Sequence, residues 1–382
     1  MSELAFQRVV IKAGTTLLTG KSDKLDLVRL KSLVKQLVHL HRVGVEVLLV
    51  TSGAVATGRQ VLRRSKETEI IDRAATATGE GPFRQVLASI GQSRLMQTYI
   101  QEFDKYDIPV AQALLTRNDI ADRLGYLNIR STLLSLISLG VIPILNENDV
   151  VALEELQGEI FGDNDTLSSL VSNIVDADLL VMLGDIGGLF TSNPEDDPDA
   201  RLISLVERTE TVESYAWGST NALGRGGMVA KLAAAQLAAA SGATAVIADG
   251  RLTDVLLRIV SGEQVGTTFL PTSSNLESRQ RWMLSAINQK GNLMVDQGAA
   301  RALKSANSSL LPAGVRSVIG EFVRGQVVSV NNEKNESVAA GIVNYDSQDI
   351  KRIMGAHSTG INEILGHDFG EEIVHRNNMV IF

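Results

Sequence analysis

Two lysines, two glycine-rich turns and an acidic cluster are the residues of this chain that could do chemistry. Lys12 closes the apolar run 8–12 and precedes Gly14, and Lys231 follows the glycine-rich stretch 224–228. Glycine turns let backbone N–H groups approach an anion closely, and lysine ammonium groups neutralise a phosphoryl group during its transfer. Carboxylates can orient such lysines or a metal ion. Together these residue types suit phosphoryl transfer.

The acidic and amide residues are concentrated between residues 146 and 167, where an apolar run ends and a helical pattern begins. This stretch opens with Asn146–Asp149 and closes on Asp163, Asn164 and Asp165. In α/β proteins such clusters lie outside the carboxyl ends of strands, where ligands bind. A solvated turn with Asp163 or Asp165 as helix N-cap is the simpler interpretation, and we expect the cap in addition to a binding role.

Apolar runs alternate with helix-like patterns up to about residue 265, which predicts a parallel sheet with helices on both faces. In a parallel sheet the strands end at one edge, so the polar residues that follow them converge there. Those residues are Lys12 and Gly14, Ser52 and Gly53, Asn146–Asp149, and Gly184 and Asp185. The charged, aperiodic stretch 63–82 predicts a surface loop.

The pattern changes after residue 270 to short β-rich runs separated by Gly, Asn and Ser, which predicts a small, mostly β module. We therefore predict four segments, namely an α/β domain over 1–268, a linker over 269–288, a β module over 289–370 and a tail over 371–382.

Composition and charge argue against several classes of function. The net charge is −8, which argues against a protein that mainly binds nucleic acid or an anionic membrane. The chain has no cysteine, and its five histidines lie away from the acidic cluster, so we expect neither a thiolate or histidine metal site nor a Ser-His-Asp triad. We find no basic leader and no run of about 18 apolar residues. These features predict a cytoplasmic protein without a membrane partner.

Motifs along the whole chain carry a resemblance to a known family. In order they are VVIKAGTT, VTSGAVATGR, IGQSRLMQ, LLTRNDIADRLGYLNIRST, VIPILNENDVVA, FGDNDTLSSLVS, LGDIGGLFTSNP and GRGGMVAKLAAA. Their order resembles that of the glutamate 5-kinases, of the amino acid kinase family. The C-terminal motifs VDQGAARAL, SSLLPAGVRSVIGEFVRGQVV, RIMGAHS and EILGH resemble a PUA domain. The resemblance implies a three-layer αβα sandwich with a mainly parallel sheet, plus a small, mostly β PUA-like domain.

The resemblance also implies an activity, namely ATP-dependent phosphorylation of the γ-carboxylate of L-glutamate, the first step of proline biosynthesis, with Mg²⁺ bridging the ATP phosphates. Lys12 and Lys231 would stabilise the phosphoryl group in flight, and Asp165 would hold these lysines. The residues implied to bind glutamate are Ser52, Gly53, Asp149, Asp163 and Asn164. Those implied to bind ATP are Gly14, Gly184, Asp185, Arg225, Gly226, Gly227, Met228 and Lys231. The resemblance assigns no protein ligand to the metal.

Three departures from the family pattern lie on the nucleotide side. Gly184 stands where the family usually has Ser or Thr, Arg225 replaces Thr in the glycine turn, and Val229-Ala230 replace small hydroxyl residues before the lysine. Arg225 could bind a phosphate with two hydrogen bonds or face solvent, and both interpretations stay open. Asp119 and Asp122 likewise stay open between a place in the glutamate or inhibitor pocket and helix capping.

Regulation and partners follow from the same resemblance. It implies feedback inhibition by proline, a homo-oligomer built through the kinase domain and handover of the acyl phosphate to glutamyl-phosphate reductase. Two alternative functions stay open: an RNA-binding or regulatory protein on a kinase scaffold, and a kinase for another small carboxylic acid. The stretch Gly291–Phe369 has seven Lys or Arg against eight Asp or Glu, so its charge does not favour RNA.

Overall fold

The computed structural model describes residues 5–20, 22, 24–64, 80–151, 164–194, 196–207, 227–272, 291–306 and 308–382. Two units separate by their internal contacts, one made of residues 1–121 with 129–274 and the other of 122–128 with 275–382. In these described segments, no helix is both long enough and apolar enough to span a membrane.

A mainly parallel sheet forms the centre of the first unit. Within the described residues its strands are β1 (Arg8–Ala13), β2 (Glu46–Thr51), β3 (Val110–Leu115), β4 (Ile142–Glu147), β5 (Leu179–Gly184), β6 (Leu205–Val206), β7 (Thr244–Asp249) and β8 (Thr267–Phe269). Their order across the sheet is β3-β4-β2-β1-β5-β7-β8-β6. Strands β1 to β5 and β7 are mutually parallel, and β8 is antiparallel to β7. The predicted α/β class is confirmed.

Helices pack on this sheet. Their bounds are α1 (Thr15–Thr19), α2 (Leu27–Arg42), α3 (Ala54–Arg64), α4 (Glu80–Asp104), α5 (Arg117–Ala121), α6 (Arg123–Ser138), α7 (Asn164–Ile174), α8 (Met228–Ala240) and α9 (Val255–Val260). Val9 and Ile11 of β1 share one core with apolar residues of α2. Val10, whose side chain points to the opposite face, is fully buried as well. Both faces of the sheet are therefore covered, as a parallel sheet requires.

The carboxyl edge of β1 is a point where the strand order reverses. The chain passes from β1 to β2 on one side and from β5 to β7 on the other, so the order reverses between the neighbouring strands β1 and β5. In doubly wound sheets ligands bind in the crevice outside such a point. Helices α1, α3 and α7 begin there, after β1, β2 and β4 in the chain, and their N-termini add a preference for anions.

Two local predictions need correction. Helix α7 begins at Asn164, so Asp165 lies inside the first turn and is not the N-cap. The predicted loop 63–82 is too long at both ends, because α3 continues to Arg64 and α4 begins at Glu80. Pro82 is compatible with that helix start, since the first turn does not need its missing N–H. Residues 65–79 and Asp163 lie outside the described residues.

The second unit contains its own sheet, in the order β10-β9-β11-β12-β13. The strands are β9 (Gly291–Val295), β10 (Val315–Gly320), β11 (Val327–Asn332), β12 (Ser337–Ile342) and β13 (Met379–Ile381), and the helices are α10 (Gln297–Ala306), α11 (Ser347–Ile353) and α12 (Ile361–Leu365). This mostly β module has a separate apolar core. Strand β13 pairs with β12, and the side chains of Ile373 and Val374 are buried. Residues 371–382 therefore belong to this unit, whereas the sequence set them apart as a tail.

Candidate active site

A buried ion cluster lies at the carboxyl edge of β1. Its members are Lys12 near the end of β1, Asp165 in the first turn of α7 and Lys231 in the first turn of α8. Lys12 Nζ is 2.6 Å from Asp165 Oδ1, and Lys231 Nζ is 3.0 Å from Asp165 Oδ2. Asp165 is 0% exposed, Lys12 3% and Lys231 9%. The structure thus brings together the three residues predicted to be catalytic.

The electrostatics of this cluster favour an anion. Burial raises the pKa of Asp165. The charges of Lys12 and Lys231 and their hydrogen bonds lower this pKa by more than burial raises it, and the result is a pKa of about 2. Asp165 is therefore ionised at neutral pH. One carboxylate between two ammonium groups leaves a net charge of +1 on the three groups. The first turns of α7 and α8 add the positive ends of two helix dipoles. A phosphoryl group fits such a site.

Amide and hydroxyl side chains form a second cluster beside the first. Asn164 Nδ2 donates to Ser52 Oγ at 3.1 Å and to Asn146 Oδ1 at 3.0 Å. Asn146 Nδ2 in turn donates to Gln92 Oε1 at 2.7 Å. Ser52 and Asn164 were predicted to bind glutamate, and Asn146 was among the strand-end residues. Gln92 was missed, because a glutamine within a helical pattern gives no signal of its own.

Two further residues predicted to bind glutamate, Gly53 and Asp149, are close in sequence to Ser52 and Asn146. Gly53 has φ of 103°, a conformation that side-chain-bearing residues rarely adopt, and its carbonyl accepts hydrogen bonds from Thr57 N–H and Oγ1. Glycine there lets β2 turn sharply into α3. Asp149 lies half-buried in the turn after β4. Asp119 accepts hydrogen bonds from Thr116 N–H at 2.7 Å and from Thr116 Oγ1 at 2.6 Å, which is a capping arrangement.

A third group of polar residues links the ends of β1, β5 and β7. Asp185 Oδ1 accepts a hydrogen bond from Thr16 Oγ1 at 3.0 Å, and the Asp185 carbonyl accepts one from Arg251 Nη2 at 2.8 Å. Arg251 Nε also donates to both oxygens of Asp249, at 2.8 and 3.0 Å. Gly14 N–H donates to Leu183 O at 3.0 Å. The predicted residues Gly14 and Asp185 are thus held in one hydrogen-bonded arrangement.

Thr16, Asp249 and Arg251 were not among the predicted site residues. The signal for two of them was present, since Asp249-Gly250-Arg251 follows the apolar run 244–248 as Gly184-Asp185 follows β5. The same strand-end rule would have found them.

Comparison with known proteins identifies the family to which the chain belongs. The amino acid kinase family matches residues 7–249, and the PUA domain matches residues 291–365. The proteins named glutamate 5-kinase from Dehalococcoides mccartyi (strain CBDB1) and Herpetosiphon aurantiacus are 48% and 44% identical to this chain. The first comparison covers 100% of both chains and the second 98% of both. The chain belongs to the glutamate 5-kinases of the amino acid kinase family. The glutamate 5-kinase from Syntrophotalea carbinolica is 42% identical and covers 98% of this chain and 97% of its own.

Of the departures on the nucleotide side of this glutamate 5-kinase, Gly184 lies within the described residues. A Cβ built on Gly184 would lie 3.5 Å from Lys231 Cε, an ordinary contact, so space does not require glycine there. Gly227 is the N-cap of α8, and the Met228 side chain is buried, which leaves the backbone of Met228 as its part available to a nucleotide. Arg225 and Gly226 lie outside the described residues.

A metal site built by the protein does not emerge from the described part of this kinase. Among those residues, no group of three or more His, Asp or Glu side chains could hold a metal ion. The one fully buried carboxylate at the edge, Asp165, has its two oxygens on Lys12 and Lys231. The phosphates of a nucleotide can supply ligands to a divalent cation.

Proposed function

We propose that this chain transfers the γ-phosphoryl group of ATP to the γ-carboxylate of L-glutamate and so forms L-glutamyl 5-phosphate, the first step of proline biosynthesis. The observation that carries the proposal is the buried Asp165 shared by Lys12 and Lys231. Asn164 and Ser52 lie on one side of this cluster, and Gly184 and Asp185 follow on the other. The full-length similarity to proteins named glutamate 5-kinase supports the choice of acceptor.

The reaction needs no general base. The γ-carboxylate of glutamate is already an anion at neutral pH, so one of its oxygens attacks the γ-phosphorus directly. A C–O–P bond forms while the bond from phosphorus to the β,γ-bridging oxygen breaks, and ADP leaves with that electron pair. Lys12 and Lys231 offset the negative charge of the phosphoryl group in transfer, and Asp165 fixes their positions. Catalysis is then positioning plus electrostatic stabilisation.

We assign Mg²⁺ as the divalent cation and treat it as part of the nucleotide substrate. Mg²⁺ keeps several waters and is usually held by one or two carboxylates together with substrate phosphates. Bound there, Mg²⁺ would offset charge on the β- and γ-phosphates.

We assign the flanking residues the roles that the family resemblance implies, and their positions at the carboxyl edge of the sheet support these roles. Ser52, Gly53, Asp149 and Asn164 bind glutamate, and Asp149 suits its ammonium group. Gly14, Gly184, Asp185, Gly227, Met228 and Lys231 contact the nucleotide. For Asp163, Arg225 and Gly226 the sequence resemblance alone supports a role.

Inhibition by proline, a homo-oligomer built through the kinase domain and handover to glutamyl-phosphate reductase stay predictions, as does the cytoplasmic location. Retention of full activity at millimolar proline would remove the first, and a monomer in sedimentation velocity the second. We assign the PUA domain a structural or regulatory part, because its balance of acidic and basic residues does not favour RNA.

The test is ATP-dependent formation of γ-glutamyl hydroxamate from L-glutamate and hydroxylamine with Mg²⁺. Aspartate, N-acetylglutamate and a reaction without acceptor are the controls. Product with glutamate alone is expected. A folded protein that forms no product with glutamate, or that prefers another acid, would overturn the proposed substrate.

A further inference from the structure

The amide groups of Gln92, Asn146 and Asn164 form a hydrogen-bonded chain whose direction is set by the backbone. Glu147 N–H donates to Asn146 Oδ1 at 3.0 Å. A backbone N–H can only donate, so the oxygen of Asn146 must face it and the amide nitrogen must face Gln92 Oε1, 2.7 Å away. Because Asn146 Oδ1 is an acceptor, Asn164 has to present its nitrogen there, at 3.0 Å. Each amide in the chain thus has one orientation.

The far end of this chain is a buried acceptor. The two hydrogens on Asn164 Nδ2 go to Asn146 Oδ1 and to Ser52 Oγ. The other amide atom, Asn164 Oδ1, is buried and has no hydrogen-bond partner within the described part of the chain. A buried carbonyl oxygen without a donor is costly, and natural proteins rarely leave one unsatisfied. This oxygen therefore calls for a donor from a ligand.

We infer that Gln92 is a positioning residue. By accepting a hydrogen bond from Asn146 Nδ2 it holds the amide that Glu147 N–H orients, and so keeps the Asn164 carbonyl oxygen turned toward the α-ammonium group of the amino acid substrate. An amide oxygen attracts an ammonium group and repels a carboxylate, so the amino end of the substrate belongs at Asn164. The next residue, Asp165, holds Lys12 and Lys231, where the reacting carboxylate belongs. Two consecutive residues of α7 thereby set the direction of the substrate. The inference rests on the proposed function and adds that the acceptor must carry an N–H donor.

The packing of α4 explains how Gln92 reaches this place. A Cβ built on the preceding residue, Gly91, would lie 1.8 Å from the Ala54 carbonyl oxygen, so the two backbones are in direct contact. Ala54 opens α3 just after Ser52 and Gly53. Gln92 is thus held beside the end of β2, within reach of Asn146 at the end of β4.

The experiment compares two substitutions and two acceptors. Gln92→Met keeps the length and helix propensity of the side chain but removes the acceptor oxygen, whereas Gln92→Glu retains an acceptor for Asn146. Glutarate is the second acceptor, because it has both carboxylates of glutamate and no ammonium group. Hydroxamate formation gives kcat and KM for glutamate, glutarate and ATP in each protein.

The wild-type chain is expected to prefer glutamate over glutarate by about 100-fold or more in kcat/KM. Gln92→Met is expected to raise the KM for glutamate about tenfold, with kcat within about threefold and with the KM for ATP and the glutarate kinetics unchanged. Gln92→Glu is expected to stay close to wild type. A role in orienting the Asn164 oxygen predicts a loss confined to the acceptor that carries the ammonium group.

Equal losses on glutamate and glutarate would overturn the inference, as would a Gln92→Glu variant as impaired as Gln92→Met or a Gln92→Met variant with unchanged kinetics. If Gln92→Met does not fold, Gln92→Ala takes its place, and the Gln92→Glu result decides by itself whether an acceptor at this position suffices. A wild-type chain inactive on glutamate would instead refute the proposed function.

Discussion

Gly91 packs directly on the backbone of Ala54, with the position of its missing Cβ only 1.8 Å from the Ala54 carbonyl oxygen. Gly58 is equally tight, since a Cβ there would lie 1.9 Å from the Leu87 carbonyl oxygen. Helices α3 and α4 therefore pack backbone to backbone, closer than side chains normally allow. Both glycines belong to motifs that carry the family resemblance. The structure explains why these two positions hold glycine, since a Cβ at either would clash with the backbone of the facing helix.

Gly91→Ala is expected to destabilise the kinase domain by about 2 kcal/mol or more. Alanine gains up to about 1 kcal/mol of helix propensity over glycine, but this contact is with backbone, which cannot move aside like a flexible side chain. Urea unfolding followed by circular dichroism measures the change. Gly187→Ala is the matched control, because the nearest atom to its added Cβ would be 3.9 Å away. Equal midpoints for the two variants would refute the packing argument.

Lys12→Ala and Lys231→Ala are each expected to lower kcat on the order of 10²-fold, the scale of losing one preorganised charge-stabilising group. Steady-state hydroxamate formation measures this loss. The exposed Lys35→Ala on α2 is the control and should keep the wild-type rate. A near-wild-type rate for either buried variant would remove that lysine from the mechanism.

Asp165 gives the stability of the chain a specific pH dependence. Its pKa of about 2 in the folded state lies below the ordinary value of 3.8, so its stabilising contribution is complete above about pH 5 and is lost as pH falls toward 2. Asp165→Asn leaves two buried ammonium groups without their carboxylate and is expected to cost about 3 kcal/mol at pH 7.

Unfolding free energies of wild type and Asp165→Asn across pH 2 to 8 test this expectation. The gap between them should be constant above about pH 5 and narrow between pH 4 and 2. A gap that is the same at pH 2.5 and pH 7 would show that Asp165 is not the group responsible.

Arg251→Ala is expected to raise the KM for ATP about fivefold and to leave the KM for glutamate unchanged. Arg251 donates to the Asp185 carbonyl and is fixed by Asp249, so its loss loosens the turn proposed to contact the nucleotide. Arg258→Ala is the control, because Arg258 pairs with Glu263 on the surface. An equal effect on both KM values would point to a general structural role.

The convergence of residues at the carboxyl edge could be predicted from sequence, because the alternation of strands and helices fixes where parallel strands end. Lys12, Ser52, Asn146 and Gly184 were found in this way, by position before resemblance. Lys231 and Asp165 needed the resemblance to be paired, since nothing local tells which carboxylate meets which lysine across 66 residues.

Other features depend on tertiary contacts and left no local pattern. Gln92 acts through a helix crossing that is defined by two glycines on different helices. The three-residue strand β13 is too short to recognise alone, and its partner β12 makes it a strand. Helix α7 begins at Asn164, three residues before the apolar periodicity, which begins only at Leu167.

Asn164 and Asp165 are neighbours in one helical turn, about 100° apart around the axis of α7. The amide proposed to receive the amino acid and the carboxylate that anchors both lysines therefore share one rigid body, and neither can shift without the other. A slip of α7 by a single residue would rotate both side chains by about 100° around the axis and misplace both at once. Changes in the length of the preceding segment are compatible with activity only where the phase of this helix is preserved.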